Sequence, residues 1–490
     1  MNARLIKETR ALLPMFAGTL PLIVVPQLIW PIAGFGYLAL GVASVVMAGS
    51  SFGTEFQHRT ISLLLSQPIP RSVIWREKML VLGAGMVTSL VALLICLAVS
   101  APAIDGQNWL VLALIPLCAF CGAPYWTLSL RQSIAGMVST VAVPCGLLAV
   151  YGLVLLQFGG NEPAALFPTI LSLLCIYCAV VYWLGYAKFK RLEAVDSPAR
   201  DLSLPAGLEA ILVAPLTRVS SRFRGPFATL LKKEFRLQQI SYLLAGVFVL
   251  IAVAGFCLIK RHPEVSAGIV GGDIVTYVLI LPLIAGAISV AEEKGWGIAE
   301  WHLTLPPSAL KQWSAKMLAA LSTSLVLGLL LPAALFLAGL ALLGQLGART
   351  SLPPAFAILC WALGQLLVTS VAVYAASFSR TTLQAILAAL VILVAGGGVI
   401  WLAINSAHHV ALAPVQWIGQ SRVDEWLILP LLSVALALVL YLFRWFAWYN
   451  FQRYGLRVSR LIRQFAVIFL AVWLIAWFFF SVLIFLNGGF

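Results

Sequence analysis

The 26 residues Glu55–Leu80 read EFQHRTISLLLSQPIPRSVIWREKML, and 238 positions later Glu293–Leu318 read EKGWGIAEWHLTLPPSALKQWSAKML. Glu55 pairs with Glu293, Leu65 with Leu303, Pro68 with Pro306 and Trp75 with Trp313. Lys78-Met79-Leu80 then pairs with Lys316-Met317-Leu318. These seven identities exceed the roughly two that composition alone would give, so the chain carries an internal repeat. In each copy a carboxylate closes one apolar run and a short apolar stretch follows. A Pro ends that stretch, and an aromatic and a Lys then open the next run. Pro breaks or kinks a helix, so each copy predicts a short surface helix, a turn, and a return into an apolar environment.

The runs on either side of these loops are of membrane length. The 490 residues are 62% hydrophobic and 10% charged, with mean hydropathy +1.02. Soluble domains run near 45–50% apolar and about 25% charged. The balance excludes a cytosolic enzyme, a secreted disulfide scaffold and a disordered chain. A porin-type barrel is excluded as well, because the apolar residues come in unbroken runs rather than in alternation. A bilayer core takes about 20 apolar residues as helix. On that criterion the spans are 13–32, 34–53, 79–101, 108–129, 133–156, 165–186, 241–259, 268–290, 317–344, 354–377, 382–403, 425–443 and 465–486. Pro21, Pro26 and Pro31 interrupt the first two, which are read as a hairpin because one helix over both would overshoot the membrane. The fold class is an all-α polytopic membrane protein with about 13 transmembrane helices, arranged as two parallel six-helix repeats plus one extra C-terminal helix.

With the N-terminus in the cytoplasm, 27 of the 31 Lys and Arg residues fall inside, and Lys260, Arg261, Arg349 and Arg422 fall outside. This asymmetry predicts an integral plasma (inner) membrane protein with a cytoplasmic N-terminus and an external C-terminus. The net charge of +14 is therefore topological, and no nucleic-acid partner is expected. No removable signal peptide is evident, since the first apolar run is long and leads straight into a second.

Basic amphipathic stretches, Arg4–Arg10 and Leu230–Arg236, each precede six spans. An even number of spans per unit makes the two copies parallel, which disfavours an inverted-repeat transporter. The chain divides into a first half with an N-terminal elbow helix (1–193), a polar cytoplasmic linker (194–226), a second half with its own elbow (227–462) and an extra C-terminal helix (463–490). A faint echo joins Tyr125…Arg131 to Tyr374…Arg380.

Few residues carry chemistry. No Gly-Lys dipeptide occurs, so there is no phosphate-cradling P-loop, and no HExxH is present. His58 and His302 lie in the matched loops, while His262, His408 and His409 are read into outer loops. Cys118-x-x-Cys121 and Cys175-x-x-Cys178 have metal-like spacing, but no His or acid stands beside them, which favours packing. Asp273 is the one ionisable residue set deeper than the edge of a span, too little buried charge for a proton-driven carrier.

The matched loops resemble those of the type-2 ABC exporter permeases, whose second span is followed by Glu…Gly-Thr-x-Glu-x-Leu-Leu-x-x-Pro-[Ile/Val]-Ser-Arg…Lys. The first copy keeps Glu55, Thr60, Pro68, Arg71 and Lys78, with Arg59 where Gly is usual and Ser62 where Glu is usual. The second keeps Glu293, Gly297, Glu300, Pro306, Ser308 and Lys316, with Ile298 for Thr and Ala309 for Arg. That family has an elbow helix and six spans per half. It also has re-entrant outer turns between spans five and six, where Gln157–Phe167 and Ala403–Asp424 stand here. The resemblance covers residues 1 to about 460.

The resemblance implies that each loop is a coupling helix docking on a separate ABC-type ATPase subunit, present as two copies or a heterodimer. That partner would bind ATP and Mg, while this chain binds no cofactor or metal and is not itself an enzyme. Glu55, Thr60, Pro68, Arg71, Glu293, Gly297, Glu300 and Pro306 are the implied coupling residues. Trp75, Lys78, Trp313 and Lys316 would anchor the chain where it returns to the bilayer. The function expected is that of the transmembrane permease subunit of an ABC exporter, moving a lipophilic or amphipathic substrate out of the cytoplasm along the axis between the halves. One alternative is a secondary carrier with a parallel six-plus-six repeat, whose Gly-x-x-x-Asp-Arg loop is missing. Another is an integral membrane enzyme acting on lipid-linked substrates. It would need convergent acids, whereas Asp105, Glu162, Glu264, Asp424 and Glu425 are spread over separate outer loops.

Overall fold

The computed structural model describes residues 3–29, 33–57, 60–100, 106–158, 163–192, 225–258, 263–295, 297, 308–342, 354–411, 425–452 and 458–486. These residues form helices and no strand, the arrangement in which lipid-embedded backbone satisfies its own hydrogen bonds. The first half holds α1 (Ala3–Ile29), α2 (Ala33–Gln57), the short α3 (Ile61–Leu65), α4 (Arg71–Ser100), α5 (Gly106–Leu130), α6 (Ser133–Phe158) and α7 (Pro163–Lys190). The second begins with α8 (Pro226–Leu237), α9 (Gln239–Leu258) and α10 (Pro263–Gly295). Next, α11 (Ala309–Leu325) passes through a π-turn at Val326–Leu330 into α12 (Leu331–Leu342). It ends with α13 (Pro354–Phe378), α14 (Thr382–Ala411) and α15 (Glu425–Gln452), and α16 (Val458–Leu486) follows. Among the described residues, 12 helices are long and apolar enough to cross a membrane, and α6, at 26 residues, corresponds to the remaining expected span.

The opening hairpin is as expected: α1 and α2 are separate helices packed on each other. The first elbow differs. Its amphipathic stretch is the beginning of α1, which continues unbroken through Pro14, Pro21 and Pro26, whereas α8 is a separate element. The break after α8 has a physical cause in Gln238. Its backbone N–H bonds to Phe235 O at 3.1 Å, and its side-chain amide donates to Ala285 O at 3.0 Å. It also accepts from Ser241 Oγ at 3.0 Å. Leu12, 226 positions earlier, has no side-chain polar group with which to hold such a turn. The two turns read as outer are also shorter than expected. α6 runs to Phe158 and α7 starts at Pro163, while α14 continues to Ala411 and so carries His408 and His409 on helix rather than loop. The rest of the second of these turns, most of the linker, and His58, Arg59, His262 and His302 lie outside the described residues.

Both halves pack in one pattern. The second span lies against the fourth and fifth (α2 on α5 and α6; α10 on α13 and α14), and the fourth lies against the fifth and sixth (α5 on α6 and α7; α13 on α14 and α15). Between halves the first span of each packs on the fifth span of the other, α1 on α14 and α9 on α6. Such a reciprocal exchange is what a two-fold axis between parallel copies requires. The seam on that axis is closed by an apolar cluster that includes Leu22, Ile134, Met137, Ile284, Ile288 and Leu387. The extra helix α16 packs on α14 and α15. Gln464 on α16 exchanges hydrogen bonds with Asn450 of α15 (2.8 and 3.1 Å) and accepts from the Tyr374 hydroxyl of α13 at 3.2 Å.

Close approach of α10 and α13 depends on Gly286, where an added Cβ would lie 2.6 Å from Thr369 O and 2.7 Å from Ala372 Cβ. Gly286→Ala is expected to cost about 1–3 kcal/mol by overpacking, read as a lowered thermal midpoint in detergent. Gly246→Ala, which meets nothing within 4 Å, is the control expected to leave that midpoint unchanged.

Candidate functional site

Each half buries a lysine between two carboxylates at the end of the bundle where the matched loops emerge. In the first half Lys78 Nζ, on α4, lies 2.7 Å from Glu8 Oε2 of α1 and 3.3 Å from Glu55 Oε1 of α2. It also donates to Ser51 O at 3.2 Å. In the second half Lys316 Nζ, on α11, lies 2.9 Å from Glu234 Oε1 of α8 and 2.8 Å from Glu293 Oε2 of α10. Its further bond is to Ser289 O at 3.1 Å. Ser51 and Ser289 are again 238 positions apart, so the repeat extends to the backbone carbonyl that completes each site. Lys78 is 2% and Lys316 3% exposed. An ammonium removed from water this far is tolerated only with full pairing, and each lysine has three acceptors to satisfy its three N–H bonds.

The sites differ at their edges. In the second, Lys233 Nζ of α8 adds a contact to Glu293 Oε1 at 2.5 Å. In the first, the Thr60 hydroxyl donates to Glu55 Oε2, and Thr60 N bonds to Glu55 O at 2.9 Å. Burial raises the Glu234 carboxyl from the ordinary carboxylate range, against the lowering pull of Lys316.

Thr60 leads directly into α3, the short helix expected of the first loop. Two of its three leucines face opposite ways: Leu63 is 67% exposed, while Leu64 is 4% exposed and packs in the core of the first half with Ile74 and Trp75. The sequence predicts Leu63, Leu64 and Leu65 exposed on this surface helix; Leu64 instead faces inward and Leu65 is half-buried. Pro68 is exposed at the centre of a tight turn closed by Ile69 N to Gln67 O at 2.7 Å. Arg71 opens α4 and donates to Lys190 O at 2.5 Å, fixing the start of that helix to the end of α7. In the second loop Gly297 caps α10 with φ +71°, a left-handed conformation that suits Gly, and bonds back to Lys294 O at 3.0 Å. Glu300 and Pro306, with Trp301, Leu303 and Leu305, lie outside the described residues.

The aromatic anchors turn inward. Trp75 packs on Phe52, Tyr182, Tyr186 and Phe189, and Trp313 on Trp448 and Phe451. Sequence reasoning selected Glu55, Glu293, Lys78 and Lys316 but missed Glu8 and Glu234, the elbow carboxylates. A signal was present, because Leu5, Lys7, Glu8 and Arg10 recur as Leu231, Lys233, Glu234 and Arg236 at a constant offset of 226. The two Cys-x-x-Cys motifs do meet, with Cys178 Sγ 3.6 Å from Cys118 Sγ in a buried cluster with Cys121 and Tyr177. Among the described residues, however, no group of His, Cys, Asp and Glu could hold a metal ion.

Compared with protein-family profiles, curated proteins and solved structures, the chain matches none.

Proposed function

We propose that this chain is the transmembrane permease subunit of an ABC-type exporter, powered by a separate ATPase dimer that binds ATP and Mg. The observation that carries the reading is the path from α3 into the bundle. The exposed Leu63 offers an apolar contact on a basic face, and Leu64 on the other side of the same turn is seated in the core. Thr60 joins α3 to Glu55, and Glu55 to the Lys78 brace, so a push on α3 is delivered to α1, α2 and α4 together. Brace and path have the mechanical form that nucleotide-driven closure needs, while the chain has no P-loop of its own. The second half repeats the brace, which suits one ATPase subunit under each half. In this reading the loops face the cytoplasm and the C-terminus lies outside. The apolar seam between the halves is then the closed form of a route for a lipophilic or amphipathic cargo.

The test is to express the chain with an ATPase encoded beside it. The expected results are co-purification of the two and ATP-dependent extrusion of cargo from inverted vesicles. Transport by the purified chain alone on an ion gradient would overturn the reading.

A further inference from the structure

On the flank of the first half, α4, α5 and α7 leave a groove of about 580 Å³ near the brace end of the bundle. Its floor is aromatic. Trp75 Nε1 donates to the Tyr182 hydroxyl at 3.3 Å, and Tyr182 stacks on Phe120 with centroids 6.2 Å apart and planes at 13°. Toward the membrane interior the groove is walled by Leu80, which is 59% exposed. Toward the loop end it is walled by Ser72 and Arg76, both exposed. Arg76 makes no ion pair among the described residues. A second cation stands nearby, Lys190, whose Nζ sits 4.4 Å from the ring centre of Tyr186, another lining residue.

A groove that opens sideways among lipid-facing helices is filled by something with an apolar part. A guanidinium without a carboxylate at its polar end selects an anion, above all a phosphate. The volume lies within the range of about 300–1,000 Å³ typical of small-ligand sites. We infer that this groove binds one anionic phospholipid of the adjoining leaflet, its phosphate on Arg76 and Ser72 beside Lys190, and the first part of its acyl chain on Leu80 and the Phe120–Tyr182 pair. The repeat limits the site to one half. At the matched positions Ser314 replaces Arg76 and Leu310 replaces Ser72, so the polar end of the groove is not duplicated. The inference depends on the membrane placement of the helices and not on an ATPase partner.

Native mass spectrometry of the purified full chain, titrated with phosphatidylglycerol and with phosphatidylcholine of the same acyl chains, tests it. The expected result is one tightly retained phosphatidylglycerol per chain, with phosphatidylcholine at least about tenfold weaker. Arg76→Glu should weaken phosphatidylglycerol binding by about tenfold or more. Leu80→Trp, which fills the acyl end while leaving every charge in place, should weaken it about fivefold. Lys311→Glu, an exposed basic residue of the other half, should leave it unchanged. Equal losses in Arg76→Glu and Lys311→Glu would overturn the inference, since they would show general attraction to a basic face. Undiminished binding in Leu80→Trp, or equal binding of the two lipids, would overturn it as well.

Discussion

Replacing Lys316 with methionine is expected to destabilise the protein by about 3–5 kcal/mol, the range for removing one partner of a buried ion cluster. Glu234 and Glu293 both lie within 2.9 Å of Lys316 Nζ. In its absence two carboxylates would share a dry site, with the partly exposed Lys233 beside Glu293 left to compensate both. The loss is a large part of a typical domain's total stability. The expected readout is a steep drop in thermal midpoint and in the yield of folded protein from detergent. Lys78→Met should cost less, because the Glu8 and Glu55 side chains keep 10–11% exposure against 4% for both carboxylates of the second site. Adding Glu234→Gln and Glu293→Gln to Lys316→Met should recover part of the loss by removing the unpaired charge. A Lys316→Met protein as stable as the parent would show that the brace carries no weight.

Leu63→Glu is expected to weaken association with the proposed ATPase partner by about thirtyfold, the equivalent of about 2 kcal/mol at an interface anchor. Leu63 is the outward residue of α3, at 67% exposure, so a charge there meets water and leaves the fold intact. Leu64→Glu, one position on, should instead lower the thermal midpoint, because that side chain is buried with Ile74 and Trp75. The pair separates docking from folding in a way that Glu55 and Glu293 cannot. Both carboxylates are buried in the braces, so replacing them is expected to loosen the bundle together with any coupling to a partner. The measurements are affinity for the purified ATPase and the unfolding midpoint of each variant. Unchanged affinity in a folded Leu63→Glu protein would place the docking surface elsewhere.

Much of the architecture can be read from residues close together in the chain. A run of about 20 apolar residues can only be satisfied as a helix in lipid, whatever surrounds it. The spans therefore followed from composition alone, as did the duplicated loop from its 238-residue offset. Glu55, Lys78, Glu293 and Lys316 stood out for the same reason. What they do was decided by tertiary structure. Lys78 meets Glu8 across 70 residues and Lys316 meets Glu234 across 82, contacts that exist only once the elbow lies against the returning helix. The inward turn of Trp75 and of Leu64, against the outward turn of Leu63, depends on where α7 and α1 pack, which no local periodicity encodes. The groove at Arg76 arises in the same way, from three helices remote in sequence. Hydrophobic length is a local property and was legible. The pairing of buried charges is a property of the assembled bundle, because only there is water absent and a partner within reach.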